Sequence, residues 1–224
     1  MKTTFAKTLV AAAALAATSA YAGTVTYTDS GATQVPNWTD NLLVSQFDSS
    51  LGTLDSVTIT FSGYNTGTLS VENLSAGGGL MELAGSATFS LSSSVWNFTG
   101  SAVASHSFNA GAFDGRYDYA GTSGASFTNA TGSYANSITL TSPADLSAFI
   151  GSGDVSFAVV TTGGSSYSGT GAAVVEFHQV AGANVSIQYN YSQTSVSSVP
   201  EPESYALLLA GLAAIGVVKR RRRD

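Results

Sequence analysis

The 224 residues include no cysteine, which excludes disulfides, thiolate metal sites and a cysteine nucleophile. A fold without such staples rests on its own core, and a body of about 175 residues is long enough to bury one. Positive charge is nearly as scarce. Lys2 and Lys7 lie at one end, and Lys219 with Arg220, Arg221, Arg222 and Arg223 lies at the other. Arg116 is thus left alone against eleven acids in residues 23–199, a formal charge of −10. Such a surface repels phosphate backbones and anionic lipid, so nucleic-acid binding is excluded.

Catalytic vocabulary is also thin. His106 and His178 are the only histidines, and each alternates onto the face opposite an apolar set, as a solvated strand histidine does. No G-x-S-x-G, H-E-x-x-H or EF-hand loop occurs. Asp114 and Asp118 could offer two carboxylates to calcium, but Arg116 between them favours a turn with a local Arg–Asp pair. Glu72, Glu82, Asp154 and Glu176 are available for a glycosidase pair, a remote alternative, since eleven acids in a sandwich produce such pairs by chance. No catalytic residue, metal or cofactor is expected, and the chain is not read as an enzyme.

What is present divides into four segments. Residues 1–22 read as a signal peptide: Lys2 and Lys7, an apolar stretch from Thr8 to Ala17, and small Ala20 and Ala22 placing a signal-peptidase cut before Gly23. The alternative, a membrane helix, fails because about ten apolar residues do not span a bilayer that wants about 20. At the other end, Tyr205 to Val218 is uncharged, behind Glu201 and Glu203 and ahead of Lys219-Arg220-Arg221-Arg222-Arg223. A helix of that length reaches about 21 Å. Snorkelling and bilayer thinning must then supply the rest of a span, and the basic tail holds the C-terminus inside. Transient anchoring in the inner membrane, with the body outside, is the expectation.

Residues 23–191 show strand-like alternation. Val57, Ile59 and Phe61 share one face of LDSVTITFSG, as do Val155, Phe157 and Val159 in DVSFAVVTT, and Val185, Ile187, Tyr189 and Tyr191 in NVSIQYNYS. TGTLSVENL, GSATFSL, SITLT and AAVVEFHQV add further strands. GYNTG, AGGG, NAGAFDG, GTSG and TTGGSS read as turns between them. A brief helix is expected over Pro143–Ile150, with Ser142 as cap. Ser and Thr supply 53 of the 177 residues from 23 to 199, but regular alternation with many aromatics argues for a core rather than a disordered stalk. The expected fold is all-β, an antiparallel, jelly-roll-like sandwich. Residues 192–198 are a polar linker.

Val199-Pro200-Glu201-Pro202, an apolar helix and a terminal arginine cluster resemble the PEP-CTERM sorting signal over 199–224. The resemblance implies that an exosortase reads the Pro-Glu-Pro and removes the tail. It also implies a carrier associated with exopolysaccharide, biofilm and extracellular matrix. Pro200 and Pro202 are expected to hold the motif extended. QFDSSLGTLDSVTITFSG, FDGRYDYAGTSG and PADLSAFIGSGDVSFAVVTT are similar to choice-of-anchor E domains, which implies surface display and no particular chemistry.

Function then divides into two classes. One is a structural or adhesive component of the cell surface or matrix. The other is a carbohydrate-binding module that stacks polysaccharide on Trp38, Trp96, Tyr117 and Tyr119; on a strand, the last two share a face about 6.6 Å apart. Six of ten asparagines occupy N-x-S/T sequons, most of them expected to be solvent-facing polar positions rather than glycan acceptors. Intact-mass measurement of the exported protein should show a chain beginning at Gly23; a retained Met1 would refute the signal peptide.

Overall fold

The computed structural model describes residues 22–169, 171–193 and 202–221. Outside them lie the signal peptide through Tyr21 with Ala20, most of the linker, Val199, Pro200 and Glu201 of the sorting motif, and Arg222 and Arg223. Ala22 to Ser192 forms one compact unit. Its strands are β1 (Ala22–Ser30), β2 (Trp38–Ser45), β3 (Gly52–Asn73), β4 (Gly79–Ser92), β5 (Asn97–Ala110), β6 (Gly124–Leu140), β7 (Asp154–Gly169) and β8 (Ala173–Gln193). Helix α1 (Pro143–Leu146) precedes β7 and runs into a 3₁₀ turn over Ser147–Phe149. Ser142 occupies its cap position and Pro143 its first turn, although the serine side chain makes no capping bond.

Two four-stranded sheets result, one ordered β1-β8-β3-β6 and the other β2-β7-β4-β5. Antiparallel pairs join β1 to β8, β2 to β7, β3 to β6 and β4 to β5. Each strand of the first half therefore lies beside its mirror in the second, the arrangement of an eight-stranded jelly roll.

The period-two pattern explains which faces meet. Val57, Ile59, Phe61, Val155, Phe157, Val159, Val185, Ile187 and Tyr189 are all buried, with Tyr191 at the margin. With Leu42, Phe47, Phe89 and Phe149 they fill a first core cluster. Phe61 meets Phe89 and Phe98 at centroid distances of 5.8 and 4.9 Å, favourable tilted contacts. Tyr189 extends through this core and donates its hydroxyl to the Ser45 carbonyl at 2.9 Å; burial, then the adjacent Tyr27, raises its phenol pKa well above the ordinary value. A second cluster, around Leu69, Val71, Met81, Leu83 and Ala104, fills the far end. Asn65 of β3 is buried between the sheets, donating to the Gly85 carbonyl of β4 at 3.0 Å.

Two expected turns are strand instead. GYNTG lies inside β3, with a register shift between Gly67 and Leu69, and TTGGSS lies inside β7. Their glycines serve close packing. The Phe89 ring lies 2.6 Å from where a Cβ of Gly63 would sit, Pro36 covers Gly163 at 2.8 Å, and Gly67 abuts the His178 backbone. Gly132 of β6 likewise lets its strand approach the backbone of Val103 in β5, which draws those two sheet edges together. On the opposite side, Asp29 of β1 accepts the Leu43 amide of β2 at 2.7 Å, an inward-pointing charge that occupies an otherwise open edge.

Gly132→Ala should lower unfolding free energy by roughly 1–3 kcal/mol, because the methyl group meets rigid backbone. Gly77→Ala, which has open space around it, should change it by less than about 0.5 kcal/mol. Urea unfolding of both variants checks the pair; equal effects would contradict the close approach.

Candidate functional site

The four aromatics of the stacking hypothesis do not form one platform. Trp38 opens β2 and is only 8% exposed, packed in the first core cluster. Its face is unavailable to a sugar. Trp96 occupies the β4–β5 turn, half-buried, its amide donating to Ser93 Oγ at 2.9 Å. One face of its ring stacks on Phe98 at 5.2 Å, and Phe98 stacks in turn on Tyr134 at 5.5 Å. Tyr117 and Tyr119 belong to the β5–β6 connection rather than a strand, so the same-face spacing does not apply. Tyr117 is 64% exposed and meets Phe113 edge-on. Tyr119, at φ +52°, turns away and is half-buried. Desolvation, followed by the nearby Glu176 carboxylate, raises the Tyr119 phenol pKa; the charge of Glu72 and the neighbouring Tyr117 act in the same direction.

The expected Arg116 pairing is replaced by backbone contacts. Asp114 accepts the Arg116 amide at 2.9 Å and Asp118 the Ala120 amide at 3.1 Å. Among the described residues, His178 Nε2 lies 3.4 Å from Glu176 Oε2 on β8, a contact that is ionic only when the imidazole carries a proton. His106 is exposed and stacks on Phe127 at 4.5 Å. No three described His, Asp or Glu side chains converge as a metal cluster.

One concavity among the described residues is marked by no sequence motif. It is a groove of about 470 Å³ on the outer face of the second sheet, bordered by Glu82, Ala84, Ser105, Ser107, Ser166 and Ser168. Register explains it: Glu82 lies between Ser107 and Ser168, and Ala84 between Ser105 and Ser166. Small side chains on three adjacent strands leave a shallow trough floored by hydroxyls, and Ser168 donates to Glu82 Oε2 at 3.0 Å. The S-x-S spacing of β5 and β7 is visible in the sequence; their alignment across β4 is not.

All six sequon asparagines have conformational or hydrogen-bonding roles. Asn37 and Asn129 adopt φ of +82° and +58°, a region that asparagine tolerates better than most residues. Asn73 is fully buried and donates to the Gly77 and Gly111 carbonyls at 2.8 and 2.7 Å, so it is not a solvent-facing position. Asn97 accepts the Ser93 amide, Asn184 donates to Ser30, and Asn190 bridges Thr24 and Ser56.

Helix α2 (Pro202–Arg221), considered by itself, contains the apolar tail. Pro202 is its first residue, so this proline starts a helix instead of extending the motif; a helix N-terminus has no use for the missing amide. Leu207, Leu208, Leu209, Leu212 and Ile215 are exposed, and Lys219 and Arg220 complement the helix dipole at its C-terminal end. Among the described residues no helix is long and apolar enough to cross a membrane, so the expected span is not supported by length and hydropathy.

Residues 198–223 match the PEP-CTERM protein-sorting motif, the signal of an exported protein sorted through the membrane, which implies processing by an exosortase. No curated protein matches the chain. Among solved structures it is similar to the infectious bursal disease virus Gx strain, at 13% identity and a TM-score of 0.23, covering 90% of this chain and 52% of that one. The VP2 subviral particle of infectious bursal disease virus gives 14% identity and a TM-score of 0.22, with 90% and 54% covered. The chain thus spans about half the length of either. Replacing Pro200, Glu201 and Pro202 by alanine should leave the protein in the inner-membrane fraction of an exosortase-containing host. Unchanged release would contradict recognition of the motif.

Proposed function

We propose that the β domain is a non-enzymatic structural or adhesive component of the cell surface or extracellular matrix, associated with exopolysaccharide or biofilm. It is carried there by transient inner-membrane anchoring, with the body periplasmic, and by exosortase processing. The observation that carries this reading is the uncharged polar character of the outer face of the first sheet. On the first sheet, Thr24, Thr26 and Thr28 of β1 stand beside Asn190, Gln188 and Ser186 of β8. Thr58 and Thr60 of β3 similarly face Thr139 and Ser137 of β6. Many of these groups bond one another across strands, as Thr58 does with Thr139 at 3.0 Å. A face of fixed hydroxyls and amides, with no cation and few acids, is suited to hydrated, uncharged glycan and offers little to a charged polymer.

A second reading is favoured by the groove at Glu82. Its volume falls within the ~300–1,000 Å³ usual for ligand sites, and its serines with one carboxylate complement sugar hydroxyls. Such a carbohydrate-binding module would grip polysaccharide by hydrogen bonds rather than by the aromatic stacking expected from the sequence.

Pull-down of the exported protein with its producer's exopolysaccharide separates the two. The structural reading predicts matrix association that neither Glu82→Ala nor the double change Tyr117→Ala/Tyr119→Ala alters. Saturable binding lost in Glu82→Ala would establish the module. Release of reducing ends from the polysaccharide would overturn the non-enzymatic reading.

A further inference from the structure

Glu72 is on the outer face of the first sheet. Beyond the irregularity at Gly67, Leu69 and Val71 turn to the core, which leaves Ser70 and Glu72 pointing outward. An outward carboxylate on a sandwich ordinarily meets water, yet Glu72 is 0% exposed. The β5–β6 connection, residues 111–123, is folded over it. Its cross-strand neighbour is Gly124. A Cβ on that glycine would run into Glu72 Oε2, and would lie 2.6 Å from the Ala120 amide nitrogen and 2.7 Å from the Tyr119 carbonyl carbon. The carboxylate is therefore enclosed between the strand and the Tyr119–Ala120 peptide.

Nothing in this enclosure neutralises it. Neither Glu72 oxygen has a hydrogen-bond partner. The nearby backbone donors are committed elsewhere: the Ala120 amide to Asp118 and the Gly124 amide to the Ala120 carbonyl. Glu176 is a second negative group beside the first. Arg116, on the same loop, forms no ion pair with Asp114, Asp118 or Glu72 among the described residues. An isolated ionised carboxylate removed from water costs several kcal/mol, and proteins keep one only when it is paired or bound to metal.

We infer that Glu72 is the anchoring ligand of a divalent cation, calcium, held beneath the 111–123 loop. Both carboxylate oxygens are buried in the enclosure, and the peptide carbonyls of the loop, beginning with that of Tyr119, supply further oxygens. Calcium takes 6–8 oxygens and draws many of them from backbone and water, which is what one carboxylate beneath a loop of peptide carbonyls can offer. The ion fastens the loop to the sheet in a calcium-containing extracellular setting. This site is independent of the glycan readings above.

Thermal unfolding of the purified exported protein, stripped with EDTA and titrated with calcium chloride, tests it. The wild type should gain roughly 5–10 °C in Tm, saturating in the millimolar range of extracellular calcium modules. Glu72→Gln should lose that response while being at least as stable as wild type in EDTA, and Glu82→Gln should keep it. A wild-type Tm indifferent to 10 mM calcium, or a full response in Glu72→Gln, overturns the site. Should Glu72→Gln fail to fold, terbium luminescence gives a second readout. Wild type excited through tyrosine should emit, calcium should compete, and Tyr119→Phe should dim the signal while keeping its calcium-dependent Tm. Absence of emission would count against the site.

Discussion

Mirror pairing is the constraint on which the rest of this domain depends. β1 pairs with β8, β2 with β7, β3 with β6 and β4 with β5, so the first half of the chain has no complete sheet of its own. With no cysteine, closure depends on burying aromatic and branched side chains between two sheets. Most inner positions must be apolar in both halves at once, which explains why Phe61, Phe89, Phe157 and Tyr189 are all fully buried. The same pairing sets Ala22 opposite Ser192. The first and last strands of the domain thus finish side by side.

Period-two alternation makes the strands legible from residue order alone, and the inner residues of β3, β7 and β8 fall where the pattern puts them. Glycine is the misleading residue. Gly63, Gly67, Gly163 and Gly164 occur in clusters that resemble turns, but each lies within a long strand. The physical reason is close approach: a missing side chain admits the Phe89 ring, the His178 backbone or Pro36. Local sequence does not separate a glycine that bends the chain from one that lets another segment touch it. AGGG and GTSG do lie at bends, and nothing in their composition distinguishes them.

Candidate sites are harder to read for a related reason. Trp38 belongs to the core, and Tyr117 and Tyr119 occupy a loop, so a platform inferred from aromatic residue type does not survive the strand register. The groove at Glu82 depends on three strands aligning Ser107, Glu82 and Ser168, a relation carried by long-range pairing. Glu72 shows the opposite case. It alternates as an ordinary outward residue, and only the fold of a distant connection buries it. The sorting signal is legible because it is contiguous, with its motif, helix and basic cluster in order along 26 residues, and residues 198–223 match the known motif.

Amide hydrogen exchange on the exported protein tests mirror pairing most directly, because it measures which strands open together. The slowest amides should fall in β3 and β4 of the first half and in β7 and β8 of the second, all exchanging at one common free energy. Exchange of β5 to β8 at a distinctly lower free energy, with β1 to β4 still protected, would contradict the account.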